Sequence, residues 1–222
     1  MLGGLQSVIL AYYIFLLLII FLLMLLIQKN LMLSPKKIRI YMTIVSSLLI
    51  CRYIALFFIC VIRNPNLAYF LKTILFLNHL AIPLMVLALS YVYLRWDTLS
   101  FSIDYIVAII LSLVYLAAMN IIKGKVILNP DFGYVVSLEN EVLMYLISLI
   151  ILGVLLLFCV YFFGKPNSNK IGMIYLIVGL SIVIVENIIY VGGIRVFPYP
   201  LIGDAIFIII INLAINTFKK VK

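Results

Sequence analysis

Long unbroken apolar stretches, parted by short polar or basic connections, run along nearly the whole chain. Their lengths predict seven helices over residues 5–27, 38–62, 68–94, 102–122, 142–163, 171–191 and 200–218. A helix that crosses the hydrocarbon core of a bilayer needs about 20 apolar residues, and these stretches meet or approach that length. A strand barrel would instead show segments of about ten residues with alternating polarity. The connections are short, so sequential helices are expected to be antiparallel neighbours. The longest one lies between the fourth and fifth helices. There Lys125 to Leu128 and Tyr134 to Leu138 flank Asn129-Pro-Asp-Phe-Gly133. Two β-prone arms around a Pro/Gly turn predict a β-hairpin, either a lid over a site or a cap on exposed helix ends.

Composition agrees with this pattern. Hydrophobic residues make up 68% of the chain and charged residues 10%, with a mean hydropathy of +1.35. So much apolar surface exceeds what one soluble core of 222 residues can hide, which makes lipid the solvent. The expectation is a single all-α membrane domain over 1–222, a multi-pass bundle in a cell membrane. Val8 to Ile27 carries no charge and lacks a preceding basic segment, so it reads as a retained first helix and not a signal peptide. Cys51, Cys60 and Cys159 all fall inside predicted spans and are expected to be small buried apolar residues.

The net charge of +9 would suggest nucleic acid in a soluble chain. Here the basic residues cluster at helix ends and report topology, with the lipid bilayer as the partner they touch. One side collects ten, Lys29, Lys36, Lys37, Arg39, Arg95, Lys165, Lys170, Lys219, Lys220 and Lys222. The other holds five, Arg63, Lys72, Lys123, Lys125 and Arg195, together with the acids Asp131, Glu139 and Glu141. The excess predicts a cytoplasmic C-terminus, an external N-terminus and an extracellular hairpin.

Ionisable groups inside a span are costly, and their depth is therefore informative. Arg52, His79, Glu186 and Asp204 lie 14 or 15 residues from the cytoplasmic ends of their helices. At 1.5 Å per residue they share a level at about 21 to 23 Å. Asn78 and Asn187 sit beside them, Tyr190 is one turn above Glu186, and Tyr13, Tyr115 and Ser148 pass nearby. In one reading Arg52 pairs with Glu186 or Asp204 and His79 hydrogen-bonds within the bundle, pinning helices two, three, six and seven. In another, the residues Arg52, His79, Asn78, Glu186, Asn187, Tyr190 and Asp204 line a ligand pocket, and in a third they form a proton- or cation-responsive switch. Pro83, one turn from His79, removes a helix hydrogen bond where a kink would couple this layer to the cytoplasmic side. Pro198 and Pro200 are expected to open the seventh helix.

Several chemistries are disfavoured. A single histidine builds no HExxH motif and no multi-histidine metal site. No P-loop, GxGxxG or GxSxG occurs, and Asp104 and Asp204 stand at different depths, which disfavours an intramembrane aspartyl protease. No catalytic residue, metal or cofactor is expected, and the chain is not read as an enzyme.

Three stretches resemble the N-terminal seven-transmembrane region of bacterial histidine kinases. They are Leu77-Asn-His-Leu-Ala-Ile-Pro83 with Leu89-Ser-Tyr91 and Arg95, then Met119-Asn120 leading into the hairpin, then Gly179 to Asn187 with Gly193, Pro198 and the final helix with its basic end. The resemblance implies a sensory bundle whose seventh helix continues into a kinase, a cyclase or another output module. The chain departs from that pattern where Lys123 and Lys125 stand in place of a histidine after Asn120, and in ending at Lys222. The expectation is a stand-alone sensory or signalling domain that detects an external or membrane-borne small ligand and acts through a separate cytoplasmic or membrane partner. The alternative is a small-solute transport component, such as the substrate-binding subunit of a multi-subunit transporter.

Overall fold

In the computed structural model, residues 2–94, 102–129, 131–166 and 168–218 are described. Arg95, Pro130 and the basic tail Lys219, Lys220 and Lys222 lie outside the described residues. The chain is mostly helical: α1 Leu2–Leu33, α2 Lys36–Ile62, α3 Pro65–Phe70, α4 Lys72–Leu75, α5 Asn78–Leu94, α6 Ser102–Ile121, α7 Glu141–Phe162, α8 Lys170–Val191 and α9 Ile202–Ile215. A two-stranded sheet, β1 Gly124–Asn129 and β2 Gly133–Leu138, lies between α6 and α7. Five helices, α1, α2, α6, α7 and α8, are long and apolar enough to cross a bilayer, while α5 and α9 are shorter apolar helices.

Two predicted spans differ from the helices that form. The third apolar run breaks into α3, α4 and α5. Its start is locally determined: Arg63 takes a left-handed conformation (φ +48°) that ends α2. Asn64 then accepts a hydrogen bond from the Asn66 N–H at 2.9 Å and Pro65 occupies the first helical turn. Further on, the helical path breaks at Leu71 and again at Phe76 and Leu77, and the side chain of Lys72, which opens α4, hydrogen-bonds to another helix, as described below. The seventh run begins its helix at Ile202, two residues after Pro200, so the prolines precede the first turn and do not form it. Among the cysteines, Cys60 and Cys159 are buried as expected, but Cys51 is exposed.

The hairpin forms as the turn chemistry dictates. Its strands pair antiparallel from Gly124 opposite Leu138 to Asn129 opposite Gly133. The Asn129 side chain accepts from the Asp131 N–H at 2.9 Å, and Gly133 takes the positive φ (+79°) that closes the loop. The hairpin lies across the bundle end as a cap. Phe132 meets Tyr12 of α1 edge-on at 5.1 Å, and the Val136 N–H donates to the Tyr199 hydroxyl at 2.9 Å. The space beneath, among Tyr12, Leu56, Cys60 and Tyr199, has no water-sized volume left.

Helix α5 is the centre of the bundle. It packs against α2, α7 and α8, and every residue from Asn78 to Val86 is buried. Around it α1 joins α2 to α9, α9 packs on α8, and α8 on α7. Helix α6 stands outside this arc, touching α5 and α4 and burying only Tyr115 and Met119. At the end opposite the hairpin, polar side chains staple the turns. Asn30 donates to the Arg39 carbonyl at 2.8 Å and the Thr43 hydroxyl at 3.0 Å, binding α1 to α2. Asn169 caps α8 through the Gly172 N–H at 3.2 Å, gives its own N–H to the Tyr93 carbonyl at 2.7 Å, and reaches Thr217 with its side chain at 3.1 Å. The ends of α5, α8 and the chain after α9 are thereby joined.

Close packing makes two glycines behave oppositely. A methyl group at Gly172 would sit 2.5 Å from the buried Tyr93 ring, whereas one at Gly153 meets nothing within 4 Å. Gly172→Ala should therefore destabilise the purified protein by about 1 to 3 kcal/mol, and Gly153→Ala should be neutral or gain about 0.5 to 1 kcal/mol. Thermal unfolding of both variants in the same detergent checks the opposite signs.

Candidate functional site

The polar residues that the sequence places at one level do not form one cluster. They divide into a closed ionic group around α9 and an open group at the start of α5.

Arg52 of α2 is the largest fully buried side chain, at 1% exposure. Its Nη1 donates to Asp204 Oδ2 at 2.7 Å and its Nε donates to the Leu75 carbonyl at 2.9 Å. Tyr53, the next residue, donates its hydroxyl to the same Asp204 oxygen at 2.8 Å. Of the two pairings open in the sequence, the Arg52 ion pair falls on Asp204. The guanidinium suits the task because its fixed fork can serve a carboxylate and a carbonyl at once. A buried carboxylate with two charge-compatible donors is well satisfied, while either partner alone would be a large penalty in a low-dielectric interior.

Glu186 has a different task. Its two carboxylate oxygens accept from the backbone N–H groups of Ile202 and Gly203 at 2.8 and 2.7 Å. These are two of the donors left open at the start of α9, and the positive end of the helix dipole favours the negative charge. The approach depends on Gly203, where a Cβ would lie 2.6 Å from the Glu186 carboxylate. Glu186 thus belongs to α9 as a cap contributed by α8.

Tyr190, one turn along α8, lies 2.8 Å from both Glu141 Oε1 and the Pro198 carbonyl, so its single hydroxyl proton serves one acceptor at a time. Arg195 stacks over the Tyr190 ring at 4.3 Å and approaches Glu141 at 3.8 Å. Through Tyr145, whose ring is 4.7 Å from that of Tyr190 and 4.7 Å edge-on from that of His79, this group leads inward to α5. His79 also stacks on Phe76, with centroids 6.2 Å apart. Neither ring nitrogen of His79 has a hydrogen-bond partner, and the Asn78 side-chain oxygen has none either. Asn187 is buried on α8. The expected hydrogen bonding of His79 within the bundle is therefore absent.

Sequence reasoning missed Tyr53 and Tyr145 and counted Lys72 and Glu141 only as external charges. Tyr53 and Tyr145 could have been found by helical neighbourhood to Arg52 and Ser148. Lys72 has no such signal, because its Nζ donates to the Met119 and Ile122 carbonyls at 2.7 and 2.9 Å, across 47 and 50 residues of sequence. It caps the C-terminal end of α6, and the Tyr115 hydroxyl reinforces this by donating to the Thr73 carbonyl at 2.5 Å. Helix α6 is thus tethered at its hairpin end.

Among the described residues, three cavities matter to these groups. One of about 250 Å³ lies between α8 and the start of α9 at Glu186, Tyr190 and Tyr199. Two flank α6. A cavity of about 280 Å³ opens toward α2 at Tyr41, Leu48, Tyr105 and Ser112. One of about 100 Å³ opens toward α7 at His79, Pro83, Tyr115, Ala118 and Ser148. Among the described residues no three metal-ligating side chains converge. Comparisons with protein-family models, with curated proteins and with solved structures find no match.

The division of labour around α9 is testable. Arg52→Met and Asp204→Leu should each cost about 3 to 5 kcal/mol, and the double variant should fall short of their sum by about 2 kcal/mol. Glu186→Gln should cost about 1 kcal/mol and add independently to Arg52→Met. Denaturation of the three single and two double variants in mixed micelles reads both couplings; an additive Arg52 and Asp204 pair would contradict the ion pair.

Proposed function

We propose that the chain is a membrane sensory or signalling domain that detects a small ligand and passes a helix movement to a separate partner. The observation that carries this reading is the grip on α9. Asp204 is held by Arg52 and Tyr53 of α2, and the first turn of α9 by Glu186 of α8. A shift of α2 or α8 is passed to α9, whose far end contacts Asn169 through Thr217. A ligand moves such an equilibrium only by binding one arrangement better than the other, and packed interfaces respond by discrete shifts. The resemblance of Leu77 to Pro83 with Leu89 to Tyr91 and Arg95, of Met119-Asn120, and of Gly179 to Asn187 with Gly193, Pro198 and the final helix to the sensor region of histidine kinases is in keeping with the same reading.

In this proposal all seven apolar helices cross the bilayer, with the hairpin outside and the Lys36, Lys37 and Arg39 turn in the cytoplasm. The central helix is compatible with that topology. Helix α5 has 17 residues and spans about 26 Å by rise alone, and its irregular neighbours α3 and α4 are tolerated at membrane depth where protein satisfies their backbone. The ten basic residues on one side and five on the other favour this orientation. Transport is the weaker reading, because Arg52 and Asp204 neutralise one another and line none of the three cavities.

Single cysteines at Asp131 and Lys37, in a chain with Cys51, Cys60 and Cys159 replaced, test topology and output together. Asp131→Cys should react with a membrane-impermeant maleimide in intact cells, and Lys37→Cys only in opened membranes. A thiol crosslinker at Lys37→Cys should then capture a kinase or response regulator. Capture of an ATPase would support transport instead, and labelling of Lys37→Cys from outside would reverse the orientation.

A further inference from the structure

The cavity between α5, α6 and α7 combines three features, and the first, the buried histidine, distinguishes it from the other two cavities described above. Its wall includes the ring of His79, 7% exposed, whose two nitrogens are unpartnered and closed off from the cavity as the ring stands, so that a ligand reaches one of them when the ring turns about its side-chain bonds. Its mouth is Val114 of α6 and Ile147 of α7, which line the cavity yet are 58% and 46% exposed. Its remaining wall is apolar apart from Tyr115 and Ser148, and it contains no Asp, Glu, Lys or Arg. The neighbours of the mouth, Ile110, Leu113 and Ile150, are exposed and apolar as well. In a membrane-spanning bundle that surface faces hydrocarbon, so the cavity opens sideways into lipid and not to water.

An unpaired polar group buried in such a place carries a desolvation penalty that a hydrogen bond removes. Neutral imidazole offers one donor and one acceptor. A hydroxyl can meet either nitrogen. An ionised carboxylate can only accept, and would bring an uncompensated charge into an uncharged cavity. Size sets a second limit: an apolar cavity of about 150 Å³ holds benzene, so about 100 Å³ takes a head group with its first few carbons. The remainder of a chain would lie in the opening between α6 and α7, along exposed apolar side chains. Pro83 lines the same cavity and leaves the His79 carbonyl without its usual helix donor, a further acceptor near that wall.

We propose that this cavity is a lateral binding site for a neutral, hydroxyl-headed amphiphile dissolved in the membrane, with the hydroxyl hydrogen-bonded to His79 and the hydrocarbon chain leaving between α6 and α7. The proposal deepens the sensory reading by naming its ligand class, and rests on that reading only for the consequence of binding. Helix α6 is the element that responds. It is tied by Lys72 and Tyr115 at its hairpin end, and a chain wedged against α7 bears on the rest of it.

The full chain in nanodiscs, exposed to a C16 primary alcohol carrying a diazirine two carbons from the hydroxyl, tests the site. Crosslinks read by peptide mass spectrometry should concentrate on residues 79–83, 111–122 and 144–151, and unlabelled hexadecanol should compete while palmitate at neutral pH competes about tenfold less well. His79→Leu should raise the half-saturating alcohol concentration about tenfold, as loss of one buried hydrogen bond does. Ala118→Phe, which fills the cavity and leaves His79 intact, should abolish the focused labelling. If one variant fails to fold, the other still decides. Labelling spread evenly over lipid-facing helices, or unchanged by either substitution, would overturn the site and leave water as the partner of His79. Its failure is separable from failure of the signalling reading, since the crosslinking at Lys37 does not depend on the ligand.

Discussion

The hydrogen bonds of Arg52 are the constraint on which the bundle depends. In a membrane interior, each backbone group that leaves a helix must find a partner in the protein. The chain leaves its helical path between α4 and α5, and the Leu75 carbonyl exposed there is met by Arg52 Nε. The charge that this brings into the core is then balanced by Asp204, which fixes α9. One side chain therefore reconciles a broken central helix with a short terminal one.

The same logic governs four other polar side chains, buried or half-buried. Lys72 serves the last carbonyls of α6, Glu186 the first N–H groups of α9, Asn169 the start of α8. Asn212 donates to the Leu22 carbonyl of α1 at 3.2 Å and ties α9 to its other neighbour. These groups are committed to backbone and hold the helices in place. The His79 nitrogens have no hydrogen-bond partner, and its ring lines the cavity between α5, α6 and α7. That contrast separates scaffold from candidate site more sharply than depth in the membrane does.

Much of this was legible in the residue pattern. Apolar run lengths foretell the long helices, and Asn129 to Gly133 foretells the hairpin and its turn, because these are local signals. The shared depth of Arg52 and Asp204 anticipated their contact. The break after Leu71 was hidden, since Lys72 and Thr73 interrupt an otherwise apolar run only briefly, and their targets, the Met119, Ile122 and Tyr115 positions, are distant in sequence. The capping role of Glu186 was hidden for a related reason. Depth offered it, beside Asp204, as one of two partners for Arg52, but nothing in the sequence marks the two N–H groups of Ile202 and Gly203 that it caps. The isolation of His79 could not be read at all, because it is a property of what surrounds the ring and not of the residue.

Hydrogen exchange on the Arg52→Lys variant in nanodiscs tests the central claim most directly. Lysine keeps a charge for Asp204 but lacks the fork that also reaches Leu75. Faster exchange is predicted at two separated places, the amides of residues 76–81 and those of 202–206, while α6 and the hairpin stay protected. Exchange that rises only within α2, or not at all, would contradict the role of Arg52 as the link between the helix break and α9.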